Sequence, residues 1–346
     1  MNRDAYVIGV GMHPFQKECP SNRDMAFTAG RAALADAGIP FRDVGYLYNG
    51  YMGGQMLEGV TIAKDFGLTG VPVVHVENAS ATGSSAFREA VLAVAGGRCE
   101  VAMALGWDGS LRQRAAAMAR SRGSRPSIES LLLPAGFFAM WAVRRMHDYG
   151  TKVETFAKIA AKNWNHARHD PMAERQAEKE ITPEQVLEAP MVAYPHTAMM
   201  ACGAGGGAAC AIVASREVAE RVADGRPRVR VRASQMQSEH YTDGHVFLGA
   251  VVGPPELTRT TARLAYEEAG CEPGDLSLVQ VHDAFPIEEL MYYELLDLCA
   301  DGEGDKLVDE RVTTIGGRTS WAPQRNAGRS PERSRSSSSQ RRPRGG

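Results

Sequence analysis

Val76-Glu77-Asn78-Ala79-Ser80-Ala81-Thr82-Gly83-Ser84-Ser85-Ala86 is a small-residue junction between two patterns of different period. Before it, Val71 to Val76 is an apolar strand, and after it Gly83 to Ala95 is a helix rich in Ala and Ser. Ser80 therefore stands where a buried strand hands over to a helix N-terminus, whose unpaired amides and dipole favour negative charge. That placement suits a nucleophile. A plainer reading of the same residue is a helix cap, because serine is among the preferred N-cap residues. Gly83 is expected to permit close backbone approach, and Ser80, Ala81 and Ser84 keep the entrance narrow. Asn78-Ala79-Ser80 also spells a glycosylation sequon, which reads as a chance match because Met1 to Asp4 leads straight into a strand pattern.

Toward the N-terminus, Ala5 to Val10 is a short apolar strand, followed by Gly11, Pro14 and a helical pattern from about Arg23 to Ala37. Gly9-Val10-Gly11 invites a dinucleotide reading, but Pro14 occupies the third glycine position and has no amide to offer a phosphate. Past the junction, Cys99 to Gly106 is another buried strand. Strands and helices alternating in this way imply an α/β layer structure with helices over a mixed sheet. From Trp107 to about Pro190 the sequence turns Arg- and Met-rich and then strongly charged, as an inserted helical segment that packs over the site. Within it, His166-Ala167-Arg168-His169 has metal-like spacing, yet only Asp170 is nearby to complete a set, so a solvated helix end is expected.

Strands return at Ala208 to Val213 and around Val229 to Val231. A helix from about Glu256 to Ala269, a strand from Leu276 to Val281 and a helix from Ile287 to Leu298 then echo the first unit. At the end of that expected strand stands Val281-His282-Asp283-Ala284-Phe285-Pro286, a second chemically capable residue at a strand-to-helix turn. Gly203-Ala204-Gly205-Gly206-Gly207 reads as a tight turn before a buried strand, with a phosphate cradle as the weaker alternative because no Lys-Ser/Thr follows.

Asn78, Ser80, Thr82, Gly83, Ser84 and Ala86, continuing into Arg88-Glu89-Ala90, together with His282-Asp283-Ala284-Phe285, Glu289-Leu290 and Tyr293-Glu294, resemble the thiolase superfamily in its sterol-carrier-protein-x or lipid-transfer branch. Thr155 to Asn163 resembles the loop-domain helix of the same branch. The resemblance covers roughly residues 1 to 318. It implies a thiolase-like α/β fold of two similar layered halves. In that scheme residues 1–250 form the first half, with the loop domain inserted at about 107–190, and 251–318 form a truncated second half. The family nucleophile is a cysteine, and Ser80 occupies its place. A serine hydroxyl is far less acidic than a thiol, so Ser80 needs an adjacent base to attack, and the sequence shows none beside it. By the same resemblance His282 binds the thioester oxygen and stabilises an enolate, with Asp283 orienting the ring or starting the next helix.

The chain carries 44% apolar and 23% charged residues and a net charge of -2. From Arg318 onward it holds eight Arg and one acidic residue, and the remainder carries 31 basic against 40 acidic side chains. The folded part is thus acidic, which argues against nucleic acid as the main partner. Residues 319–346 lack the apolar content to bury a core and are expected to be disordered. The family's Gly-His-Pro motif, with its second catalytic histidine, is absent there, and so abrupt a change suggests a shifted reading frame in a GC-rich gene. No window is long and apolar enough to span a bilayer. Cys19, Cys99, Cys202, Cys210, Cys271 and Cys299 show no CxxC spacing and read as reduced, buried thiols of a cytoplasmic protein.

The resemblance implies an acyl-CoA-handling, acyltransferase-related protein that takes a coenzyme A thioester or lipid as substrate, with no permanently bound cofactor and no metal. It further implies a homodimer, with a zinc-ribbon and OB-fold protein as a possible accessory. Two alternatives stand beside it. One is a retro-aldol lyase on a CoA thioester, needing only a base and an enolate-stabilising site, for which His282, Asp283, His240 or Tyr241 are available. The other is a noncatalytic acyl-CoA or lipid binder.

Overall fold

The computed structural model of the protein describes residues 3–52, 55–110, 134–222, 225, 229–241 and 255–317. The expected disordered tail at 319–346 lies outside the described residues. The strands are β1 (Ala5–Gln16), β2 (Tyr46–Gly50), β3 (Val73–Val76), β4 (Val101–Asp108), β5 (Met191–Ala193), β6 (His196–Thr197), β7 (Gly206–Ser215) and β8 (Val229–Val231). All but β5 and β6 form one sheet in the order β3-β2-β4-β7-β1-β8. The β2 strand runs parallel to β3 and β4, whereas β7 runs antiparallel to both β4 and β1.

The sheet is covered on both faces, which is why β4 reads as one continuous apolar run. Met103 and Leu105 of β4 face a core shared with α1 (Asn22–Ala37) and α2 (Glu58–Phe66), through Met25, Ala29, Ala33 and Ile62. Ala102 and Ala104, one residue out of step, face α3 (Thr82–Ala95) through Ala86, Ala90, Val91 and Val94. The period of two along the strand thus sorts its side chains between two helical layers. Helix α1 begins at Ser21, whose hydroxyl accepts from the Asp24 amide at 3.1 Å, and ends at Gly38 in the left-handed region, φ 68°.

The Gly9-Val10-Gly11 pair is explained by packing. A Cβ at Gly11 would stand 2.3 Å from the Ala29 carbonyl oxygen and 2.4 Å from the Ala33 nitrogen, and one at Gly9 would stand 2.5 Å from the Ala33 oxygen. Strand β1 and helix α1 therefore meet backbone to backbone, and the two glycines serve that contact rather than a phosphate.

The insertion forms α4 (Pro134–Tyr149), α5 (Val153–Ala167) and α6 (Pro183–Glu188), and residues 255–317 form α8 (Pro255–Ala269), α9 (Pro286–Leu295) and α10 (Gly304–Asp309), with α7 (Arg216–Val222) between the two groups. Trp107 and Asp108 belong to β4. The inserted helices share a core with the C-terminal helices, in which Phe138, Phe156, Ile159 and Val186 pack against Phe285, Ile287, Leu290 and Tyr293. Within this shared helical core Arg145 of α4 makes a bidentate ion pair with Glu294 of α9 at 2.9 and 2.6 Å. Thr151 joins it, accepting from Arg145 Nε and donating to Asp305 of α10 at 2.9 Å.

The expected strand Leu276 to Val281 is absent: its residues take an irregular path, and Leu278 is 79% exposed. An isolated extended run leaves its backbone groups unpaired, and among the described residues 255–317 there is no strand to pair with it. The cysteines also differ from expectation. Cys210 and Cys299 are buried, Cys19, Cys99 and Cys271 are half-buried, and Cys202 is exposed.

Two outcomes follow from these contacts. Replacing Gly11 with Ala should push β1 and α1 apart and lower the unfolding free energy by about 1–3 kcal/mol, measured by chemical denaturation. His196, fully buried between the Phe156 and Phe285 rings, has its pKa pushed down to about 4 by burial. The unfolded chain therefore binds a proton that the folded one refuses. This stabilisation is complete above about pH 6.5 and is lost as pH falls toward 4, removing about 3 kcal/mol across that window. An H196F variant should show a flatter acid limb in stability against pH, and an unchanged limb would count against this account.

Candidate functional site

The chain leaves β3 at Val76, makes a single 3-10 turn at Ala79–Ala81 and enters α3. Ala79 lies at φ 45°, a left-handed conformation that costs a residue with a Cβ about 1–2 kcal/mol. The turn is held by its neighbours. The Ala79 amide donates to Glu77 Oε1 at 2.7 Å, the Asn78 amide donates to Thr82 Oγ1 at 2.8 Å, and Asn78 Nδ2 donates to Ser85 Oγ at 3.0 Å. Thr82 is fixed in turn by Gly50 of β2, where a Cβ would meet Thr82 Cγ2 at 2.7 Å. The close approach to the helix entrance is thus made at Gly50, while a Cβ on Gly83 would meet nothing within 4 Å.

Ser80 is exposed at the crest of this turn. It does not cap α3, whose N-cap position is Ala81 with no side-chain hydrogen bond. Ser80 instead lies inside the 3-10 turn that runs into α3, which is why the capping reading fails. Among the described residues no hydrogen bond joins Ser80 to a base, nor to His282 or Asp283. Helix α3 has no side-chain cap, and its first amide, that of Thr82, already donates to the Ala79 carbonyl oxygen within the turn. Met236 lies against this turn, its sulfur 3.5 Å from both Asn78 Nδ2 and Ser85 Oγ. His240 and Tyr241, later in the same segment, are exposed.

His282, Asp283, Ala284 and Phe285 form an irregular turn into α9, where Pro286 supplies the fixed φ of a first helical residue. Phe285 is driven into the second core, which fixes the turn. The residues on either side then diverge. His282 is exposed, and its Nδ1 lies 3.2 Å from Glu288 Oε2, an oxygen that also accepts from the Ala284 amide at 2.9 Å. The hydrogen bond and charge of Glu288 hold the imidazole pKa above its ordinary value. Asp283 turns inward, where burial and the nearby Glu289 carboxylate push its pKa up to about 6. It accepts a hydrogen bond from Asn163 Nδ2 at 2.6 Å, and the same nitrogen donates to Glu289 Oε2 at 2.7 Å. Glu289 Oε1 is bonded by Lys162 Nζ and by the Tyr293 hydroxyl.

Glu288, Glu289, Asn163 and Lys162 carry no role in the sequence reading, although all lie within or beside the stretches that matter. The usable signal was spacing. Glu288 with Tyr292, and Glu289 with Tyr293, stand four apart on α9, each pair sharing a face and a hydrogen bond.

Asp283 and Asn163 line a pocket of about 190 Å³, walled by Trp164, Met199, Met200 and Cys202. A larger cleft of about 810 Å³ lies beyond Lys162, toward His166 and Thr313. The His166 ring accepts from the Ile315 amide at 3.1 Å and is thereby tied to the backbone, while His169 is exposed. Among the described residues no three His, Cys, Asp or Glu side chains gather around a common point for a metal. The glycine-rich turn at 203–207 is likewise committed, because the Gly205 amide donates to Glu174 Oε2 at 2.8 Å and so already serves an anion. Among the described residues no helix is long and apolar enough to cross a membrane.

The family model for the thiolase N-terminal domain matches residues 5–191, and the thiolase C-terminal domain-like model matches residues 254–324. The chain is 31% identical to sterol carrier protein 2 of Gallus gallus over 92% of its own length, and it spans 60% of the length of that relative. It is 33% identical to the benzoylsuccinyl-CoA thiolase subunit BbsB of Thauera aromatica, covering 93% of this chain and 83% of that one. The fold is similar to that of a solved Ltp2-ChsH2(DUF35) aldolase, with a TM-score of 0.75 at 24% identity, over 92% of this chain and 83% of that one. With its α/β sheet, its strand-to-helix turn at Ser80 and matches at both ends, the chain belongs to the thiolase family.

Proposed function

We propose that the protein handles acyl-CoA thioesters as lipid-transfer thiolases do, but without forming an acyl-enzyme. The observation that carries this is Ser80, exposed and with no base in hydrogen-bond reach among the described residues. A neutral serine hydroxyl in that setting is a poor nucleophile. In this reading His282, held by Glu288 through one ring nitrogen with its pKa raised, offers its other ring nitrogen to the thioester oxygen and stabilises an enolate formed there.

A second reading, a retro-aldol lyase on a CoA thioester, is favoured by Asp283. This carboxyl changes protonation near pH 6, within reach of a neutral medium, and it lines a small pocket with apolar walls. Such a cleavage needs a base and an enolate-stabilising site but no nucleophile. The reading extends to assembly. A complex with an accessory protein is supported by the two names in the Ltp2-ChsH2(DUF35) aldolase, and a homodimer goes with the same reading as a further proposal. The cytoplasm is the compartment that goes with it.

Product analysis separates the possibilities. Incubated with a 3-hydroxyacyl-CoA, a lyase yields a ketone or aldehyde and a shorter CoA ester with free CoA unchanged. A thiolase given a 3-ketoacyl-CoA consumes free CoA and yields two thioesters. The S80A variant should keep the cleavage rate within about threefold, because it removes no interaction made in the transition state. The H282A variant should lower it on the order of 10²-fold. Consumption of CoA that disappears in S80A would show that the serine is acylated after all, and thioester binding without turnover of either substrate would make the protein a binder.

A further inference from the structure

The polar cluster behind the His282 turn contains one feature that enolate stabilisation by His282 does not use. Asn163 offers the two N–H bonds of one nitrogen to two different carboxylates, Asp283 at 2.6 Å and Glu289 at 2.7 Å. Asp283 and Glu289 are thereby held close enough that both cannot be charged without strong repulsion. Lys162 supplies one positive charge and places it on Glu289, with the Tyr293 hydroxyl donating to the same oxygen. Glu289 is buried and the Lys162 side chain is 12% exposed, so the two are matched to each other away from water. Two carboxylates thus share one cation, and Asp283 is the one left over.

We infer that Glu289, bridged to Asp283 through the side-chain nitrogen of Asn163, is the positioning residue that readies Asp283 to exchange a proton with a hydroxyl group seated in the 190 Å³ pocket. The inference rests on the lyase reading for the identity of that hydroxyl, the β-hydroxyl of an acyl-CoA. Asp283 accepts the hydroxyl proton, and the O–H electron pair becomes the second bond of a new carbonyl. The Cα–Cβ bond breaks, and its electron pair passes to the shorter thioester as an enolate. That enolate regains a proton at Cα from Asp283, so the carboxylate is restored and no further reactant is needed. The pocket walls of Trp164, Met199 and Met200 suit the apolar substituent on the departing carbonyl.

Several other groups face Asp283. Cys202 and Arg175 line the far wall of the pocket, with Arg175 donating to the Cys202 carbonyl oxygen at 2.9 Å. His282 precedes it and is turned to Glu288, and His166 lies a turn beyond Lys162. None of these joins Asp283 to Glu289 as Asn163 does.

The test uses full-length protein labelled with ¹³C at the aspartate carboxyls, with the Asp283 resonance identified by its loss in D283N. In E289Q the Asp283 titration midpoint should fall by about one pH unit, because the neighbouring negative charge is gone. In N163A it should rise, because a hydrogen bond to the ionised carboxylate is lost. The N163A arm stands alone if E289Q, which strands the Lys162 ammonium in the interior, fails to fold. The acid limb of 3-hydroxyacyl-CoA cleavage should move in step with the resonance. Midpoints unchanged in the folded variants overturn the inference, as does a cleavage limb that stays in place while the resonance moves. Opposite shifts with no cleavage of any thioester support the coupling and sink the lyase reading alone.

Discussion

Arg145 and Glu294 meet inside the helical half of the molecule through two hydrogen bonds, their side chains only 5% and 8% exposed. Removing two charges from water is costly, and the cost is met only when the pair is well matched. Here it is, because Thr151 accepts from the third guanidinium nitrogen and the Gly304 amide donates to Glu294 at 3.0 Å. The pair therefore fixes α4, α9 and the start of α10 against one another. Phe285 at the head of α9 can then sit in only one place, against Phe138 and the His196 ring. From that anchor His282 is set toward solvent and Asp283 toward the interior. Position and protonation of both residues descend from how the insertion grips α9.

Much of the sheet half was legible because its signals are local. The apolar runs at β1, β4 and β7, the helical period of α1 and the small-residue run of α3 each follow from side-chain spacing. Leu276 to Val281 carries the same apolar signature and is no strand, since a strand also needs a neighbour, and neighbours are not written in the run itself. The glycines of β1 looked like a ligand motif, and only the approach of α1 shows what they accommodate.

The candidate site was legible to a different depth. Ser80, His282 and Asp283 stood out because each lies at a turn between elements, and all three do lie at such turns. What these side chains do depends on partners far away in sequence. Asn163 reaches Asp283 across 120 positions, and no pattern local to either residue announces that contact. Ser80 was open to capping or to attack. Its place inside the 3-10 turn, between the N-cap positions Asn78 and Ala81, excludes the cap, and that placement is not written in the residue type.

The arrangement of the sheet also bears on how the chain comes off the ribosome. Strand β7 lies between β4 and β1 and pairs with both, so β1 has no partner on that side until the whole insertion has been made. The inserted helices, for their part, lack half of their core until α9 emerges. Each half is thus completed by a segment made long after it began, a topology of non-local contacts that folds slowly and exposes apolar surface meanwhile. A nascent chain of this design keeps apolar surface uncovered for much of its synthesis.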